Sequence, residues 1–456
     1  MTRHRRALVI GGIVSVAIAV AAVVAAAGSD RATAVKRYPY TLIDTGTFGG
    51  PSSFLDGPAV PISSQGTLLG AADTATLDVD WQHCPPPGGC SDRYVQHAVA
   101  WHDGRLADLG ALSGQKSSAI FEQNRSGVGV GTSEDGLTDP FTKTAASVAV
   151  TFEHGQVINL GTLPGGFESL AQDIDNQGQV AGFSSNAIRD RQACSIFGQT
   201  PPCGWTTEVR AVVWRHGMIS DLGTLGGTDA LEAAQNDQGE IAGESYTSDQ
   251  INADTSLLPQ APFLWRNGRM INLGTLGGHN GQANWLNDRG EVVGQSNLTG
   301  DATFNAFVWN GRRMIDLTPH AARSTANWIN DQGDITGWTC ASLRSACTGF
   351  LWRQGKRAVL PIVGSGALGA VPNCINDHNQ VVGAETDAND HEIIAALWAD
   401  GHAYNLNKLV APSSLRMISA NYINNAGDIV GYGTLPNGEQ RMFLLIRNPI
   451  VPLPTN

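Results

Sequence analysis

Residues 272–317, NLGTLGGHNGQANWLNDRGEVVGQSNLTGDATFNAFVWNGRRMIDL, return with variation along most of the chain. A repeat of roughly forty to sixty residues decides the architecture before any single residue does. Inside the unit, turn signals separate short apolar runs. Asn287-Asp288-Arg289-Gly290 links the run ending at Leu286 to Val292-Val293, because Asn and Asp tolerate tight turns and Gly supplies the positive φ that closes a short hairpin. Asn310-Gly311 joins residues 306–309 to Met314-Ile315 in the same way. The runs are too short for helices and rich in β-branched and aromatic residues, which predicts strands. Four antiparallel strands per unit is the content of a propeller blade.

The turn-and-strand signature ends at Gly70, Gly131, Gly182, Gly243, Gly294, Gly337, Gly383 and Gly431. After it comes an aromatic slot, filled by Trp101, Phe152, Trp214, Trp265, Trp309, Trp352 and Trp398, with Leu445 in the last unit. The expected fold is therefore all-β, an eight-bladed β-propeller of four-stranded antiparallel blades. Seven blades are the alternative, since the first two turns, Ser63-Ser64-Gln65-Gly66 and Asn124-Arg125-Ser126-Gly127, are degenerate. The phase of the repeat predicts how it closes. Residues 40–50 match the end of a unit, while the last unit stops after Met442-Phe443-Leu444-Leu445 without its final strand. Pairing the N-terminal strand into the last blade removes a seam that would leave exposed edges.

The residues before the aromatic slot read His97-Ala98-Val99, Arg210-Ala211-Val212, Asn305-Ala306-Phe307 and Thr348-Gly349-Phe350, followed at a fixed distance by the slot and then by Asp-Leu-Gly or Asn-Leu-Gly. This combined pattern resembles the HAF-repeat family of extracellular proteins, although no copy carries all three letters of His-Ala-Phe. The resemblance covers most of residues 40–445. It implies an exported repeat protein and brings no activity or catalytic residue with it.

Export is also legible at the start of the chain. Residues 1–6 hold three arginines, and residues 7–28 form an uncharged run dominated by Ala, Val and Ile. Two readings stay open for residues 1–34: a cleaved signal peptide, or a transmembrane helix that anchors the propeller of residues 35–456 at the cell surface. Both place the remainder outside the cytoplasm. The membrane is a partner only through residues 7–28. The formal net charge of -12 and the lack of a basic cluster beyond the export segment argue against nucleic acid. A monomer is expected.

In an exported chain, close cysteine pairs read as disulfides. Three are expected: Cys84 with Cys90, Cys194 with Cys203, and Cys340 with Cys347, each between the second and third strands of its unit. None has the spacing of a zinc site, and no metal or other cofactor is expected. Cys374 is left over, in an innermost strand at the place that Trp285 and Trp328 occupy, and reads as a buried thiol. Each cysteine loop also has a tryptophan outside the repeat slot: Trp81, Trp205 and Trp338. These are the candidate ligand-binding residues, as rigid aromatics on the face of long loops. The competing reading is that each packs its own loop down.

The Asn-Asp-x-Gly turns recur as hairpin chemistry does and read as structural. No phosphate loop, Gly-x-Ser-x-Gly elbow or His-Glu-x-x-His is present, so no catalytic residue is assigned. Acidic residues in the long loops, namely Glu134, Asp135, Asp139, Asp249, Asp254, Asp301, Asp387 and Asp390, with His279 and His391, are the only material for catalysis. The expected function is a non-enzymatic binding or scaffold module for carbohydrate or a surface protein. The alternative is a polysaccharide-degrading hydrolase or lyase with carboxylates at the channel mouth.

Overall fold

Short apolar runs between Gly and Asn turns leave backbone groups that only neighbouring strands can satisfy. In the computed structural model they are satisfied as four-stranded antiparallel sheets. The structure describes residues 37–454 except 56–59, 64–65, 79–92, 113–115, 142, 191, 198–204, 254 and 343–344. The expected export segment, Trp81, Cys84, Cys90, Cys203 and Asp254 thus lie outside the described residues, as does the side chain of Cys194. No helix among the described residues is long and apolar enough to cross a membrane.

One sheet shows the plan. Ser169–Ile174, Val180–Arg189, Thr207–Arg215 and Met218–Asp221 pair in sequence order, each antiparallel to the next. Sheets of this order begin with Gly49–Phe54, Ser118–Gln123 and Gly369–Ile375. Three more, beginning with Ala230–Gln235, Gly277–Leu286 and Arg323–Ile329, join into one path through the single parallel pairings Gln260 to Asn280 and Phe304 to Arg323. The sheet beginning with Arg416–Ile423 takes its outer strand from the other end of the chain: Tyr40–Asp44 pairs antiparallel with Gln440–Arg447. That last sheet also touches the first one, where the Met442 N–H donates to Ser53 Oγ at 2.9 Å.

The turn signature works between sheets as well as within hairpins. In the Asn287 turn, Oδ1 accepts from the N–H of Arg289 and of Glu291, while Nδ2 donates to the carbonyl of Asn330 in the next sheet. Asn236, Asn330 and Asn376 repeat that donation to the carbonyls of Asn287, Asn376 and Asn424. In the degenerate first turn Ser63 takes the same place, with its Oγ accepting from Thr67. A turn residue chosen for local geometry therefore also sets the spacing between sheets.

Glycine at the end of the signature answers a different demand. Each first strand carries a bulge, as between Glu232 and Ala234, which pushes a carbonyl toward the second strand. A Cβ at Gly243 would overlap the Leu231 carbonyl oxygen and stand 2.8 Å from the Phe263 ring. The Leu-Gly-x-Leu-Gly-Gly connections pack against the second strands through a recurring serine. The N–H groups of Leu163, Leu225 and Leu276 donate to the Oγ of Ser184, Ser245 and Ser296. In Asp-Leu-Gly and Asn-Leu-Gly the acidic or amide oxygen accepts from the glycine N–H two residues on, as Asp221 does from Gly223 at 2.7 Å.

The slot side chains pack between sheets; Trp101, Phe152, Trp214, Trp265, Trp309, Trp398 and Leu445 are buried and Trp352 is half-buried. Within the triplets, Ala98, Ala211, Ala306, Phe307 and Phe350 are buried too. The first letter ties the third strand to the fourth: His97 Nδ1 lies 2.9 Å from Asp108 Oδ2, and Asn305 Nδ2 donates to Asp316 Oδ2 at 2.9 Å.

Candidate functional site

The bulged first strands present a recurrent residue pattern to one another. Residues 283–287 read Ala-Asn-Trp-Leu-Asn, and residues 326–330, 372–376 and 420–424 repeat it with Trp, Cys and Tyr at the centre. At that central position Trp285 stacks on Trp328 with ring centroids 3.6 Å apart, and Trp328 meets Tyr422 edge-on at 5.6 Å. Cys374, buried and unpaired with another cysteine as the sequence suggested, lies in the same row. Further round, the corresponding positions hold Glu122 and Asp173. One level of the site is thus aromatic on one side and acidic on the other.

Two cavities lie on either side of this row, and Trp285 and Trp328 line both. The first, of about 500 Å³, is walled by the Asn-Asp turns. Their backbone N–H groups donate from one turn to the next side chain: Asp237 to Asp288, Asp288 to Asp331, and Asp331 to Asp377. The second, of about 550 Å³, has a different lining. Asn284, Asn327 and Asn373 line it, and each donates Nδ2 to a carbonyl of the next first strand, at 2.7–3.0 Å. Asn421 continues the row, with its Oδ1 buried and without a hydrogen bond. Phe183, Phe197, Leu55 and Pro61 line this cavity as well.

Carboxyl groups complete this second cavity. Glu232 is 4% exposed, and its oxygens take no hydrogen bond from an N–H group; the polar group that they meet is another carboxyl. The Asp173 carboxyl stands beside it, and Glu122 beside Asp173. Burial first, then their neighbouring carboxyls, push Glu122 and Glu232 well above the usual carboxylate range; burial raises Asp173 too. Glu244, half-buried on the same cavity wall, is raised to about 8 by burial alone.

Buried acids elsewhere behave alike. Burial lifts Glu168 to about 9, with Asp139, Asp135 and Glu134 adding repulsion, and lifts Asp229 to about 8. A group whose folded value lies above its unfolded one binds protons more tightly when folded, so stability is fullest below the unfolded value and falls as pH rises through the folded one. Melting temperature is expected to drop by roughly 5 °C or more between about pH 5 and pH 9, as measured by calorimetry. A flat profile over that window would show that these carboxyls are solvated.

The residues singled out from sequence lie elsewhere. Trp205, at 6% exposure, is packed against Phe183 and Phe197 at centroid distances of 5.6 and 5.5 Å, inside the apolar layer under its loop. Trp338 is half-buried, edge-on to Phe304, with the Arg323 guanidinium over its ring. Cys340 and Cys347 form a disulfide beside it. The acidic loop residues are held in separate local pairs: Asp301 with His279 at 2.6 Å, Asp387 with His391 at 3.4 Å, Asp390 with Arg323 at 3.3 Å, and Glu134 with Lys116 at 3.9 Å. None of those described lines either cavity. The cavity acids were missed although a signal existed. Glu122, Asp173 and Glu232 are each the one charged residue of their first strand, and Asn284, Asn327, Asn373 and Asn421 recur three residues before the turn Asn.

Successive four-stranded antiparallel sheets enclosing a polar cavity define an all-β, propeller-like protein. No protein-family model matches the chain, and no curated protein does. Among solved structures it is similar to a Mycobacterium tuberculosis puromycin-hydrolyzing peptidase, at 12% identity and a TM-score of 0.43, over 91% of this chain and 64% of that one. It therefore spans less than two thirds of that relative's length. It is also similar to the β-propeller domain of the Trilobed protease from Pyrococcus furiosus, at 10% identity and 0.39, over 79% and 97%. A third is the polysaccharide lyase Uly1, at 9% and 0.38, over 90% and 100%.

Proposed function

We propose that the chain is an exported, closed eight-bladed propeller of HAF-repeat type that binds carbohydrate in the cavity lined by Asn284, Asn327, Asn373 and Asn421. Five separate four-stranded sheets and three joined ones support the blade number. Closure is supported by the pairing of Tyr40–Asp44 with Gln440–Arg447.

The observation that carries the binding reading is the lining of the second cavity. A row of side-chain amides offers donors and acceptors to hydroxyl groups, the stacked Trp285–Trp328 pair adds apolar lining, and the volume suits a small ligand. A core built only for stability has no use for so many polar groups around a void, since each costs free energy unless partnered. The site moves from the loop tryptophans to the first strands, where the scaffold is rigid.

Asn421 makes the sharpest probe, because its Oδ1 lacks a partner and its truncation removes no described hydrogen bond of the fold. On an oligosaccharide array, Asn421→Ala is expected to weaken binding of the retained glycans by roughly five- to tenfold with melting temperature unchanged. An array silent toward the unmodified protein, with indole emission also unmoved by glycans in solution, would overturn the carbohydrate reading.

A further inference from the structure

We infer that the saccharide taken by this cavity carries free primary amines, seated against Glu232 and Glu244, so that the ligand is a de-N-acetylated amino sugar rather than a neutral glycan. The inference rests on the carbohydrate reading above and names the sugar class.

Glu232 is the observation that points to a ligand. It lines the cavity, is nineteen-twentieths buried, and meets only the Asp173 carboxyl, so that one shared proton still leaves acceptor sites of the pair unmatched. A buried carboxyl in that state is costly to the fold, and such a group in a native structure calls for a partner from outside. On the first strand of its sheet the corresponding positions in neighbouring sheets hold Ala171, Ala283 and Ala326, so small residues satisfy the packing there. An acid where alanine suffices adds an ionisable polar group and nothing to the core.

Glu244 adds a second carboxyl on the same wall, again with no hydrogen bond or ion pair among the described residues. Among the described residues no Lys or Arg lines this cavity, although arginines pair with other acids throughout the protein. The lining therefore has carboxyl groups that an ammonium group could ionise, amides to be matched, and, among the described residues, no cation of its own. Two features argue for an organic ammonium over a metal ion. No group of three or more His, Cys, Asp or Glu side chains among the described residues stands in metal-holding geometry, and the rest of the wall is aromatic and amide. An ammonium group donates three hydrogen bonds, enough to reach one carboxylate and a neighbouring amide oxygen together. Its sugar ring then lies on the apolar wall.

The test compares three β-1,4-linked disaccharides by titration calorimetry: the glucosamine dimer, its di-N-acetylated counterpart, and cellobiose, which has neither amine nor amide. The unmodified chain is expected to bind the glucosamine dimer at least tenfold more tightly than the other two, and Glu232→Gln is expected to remove that preference. Should Glu232→Gln fail to fold, Glu244→Gln, at a half-buried site without a described partner, reads the same preference. Equal binding of all three would overturn the amine assignment and leave the carbohydrate reading standing. Preference for the acetylated dimer would do the same. No binding of any of the three, with an active array toward other glycans, would overturn the amine assignment alone. No binding together with a silent array would overturn both.

Discussion

Gly243→Ala is expected to destabilise the protein by about 3 kcal/mol, near the upper end of what overpacking costs. The added methyl group would meet the Leu231 carbonyl oxygen and the Phe263 ring at once. Neither can retreat. Leu231 is held in the first strand by pairing with Glu244, and Phe263 is fully buried in the third. The right control is Gly268→Ala, where φ is +74 and nothing lies within 4 Å, so the only penalty is the left-handed backbone, about 1 kcal/mol. Urea denaturation of the two variants separates the effects: the midpoint should fall clearly further for Gly243→Ala, with similar slopes. If the two shifts were equal, close approach of the bulged strand would not be what selects glycine at the end of each signature.

Beginning the chain after Asp44 should do more damage still. A protein starting at Arg37 keeps the strand Tyr40–Asp44; one starting at residue 45 leaves the outer edge of residues 443–447 without its pairing strand. Tyr40 is buried, with its N–H donating to the Leu409 carbonyl and Arg447 over its ring at 5.3 Å. Arg447 also donates to the Pro39 carbonyl at 2.8 Å. Losing a buried aromatic residue and a row of ladder hydrogen bonds amounts to more than about 5 kcal/mol, comparable with the net stability of many domains. The shorter protein is expected to aggregate or to melt tens of degrees lower, because an unpaired apolar edge is a template for another chain. Matching melting curves for the two proteins would show that this strand is dispensable, and the closure proposed above would fail with it.

Much of this was legible in the repeat itself. The Asn-Asp-x-Gly turns, the slot aromatics and the spare cysteine each follow from local chemistry: a turn needs its φ, a strand needs its alternation, and an apolar side chain needs cover. Register at the two ends of the chain was readable for the same reason, since a half-unit at the start and a missing strand at the end are complementary patterns. These are short-range or strictly periodic facts, and periodicity carries them through the sequence.

Tertiary structure alone decided where the chemistry sits. From sequence Trp205 could be a ligand anchor or pack its own loop down, and the choice depends on Phe183, which only folding brings to it and which with Phe197 packs against the buried indole. Glu122, Asp173 and Glu232 are separated by 51 and 59 residues along the chain, each an unremarked charge in its own strand. Neighbouring first strands bring them side by side, and desolvation then favours their protonated forms. Sequence alone determined the strands and their repeat because those depend on neighbours a few residues away; the cavity and its unmatched carboxyls depend on which sheets face each other, and that is settled only when the sheets pack.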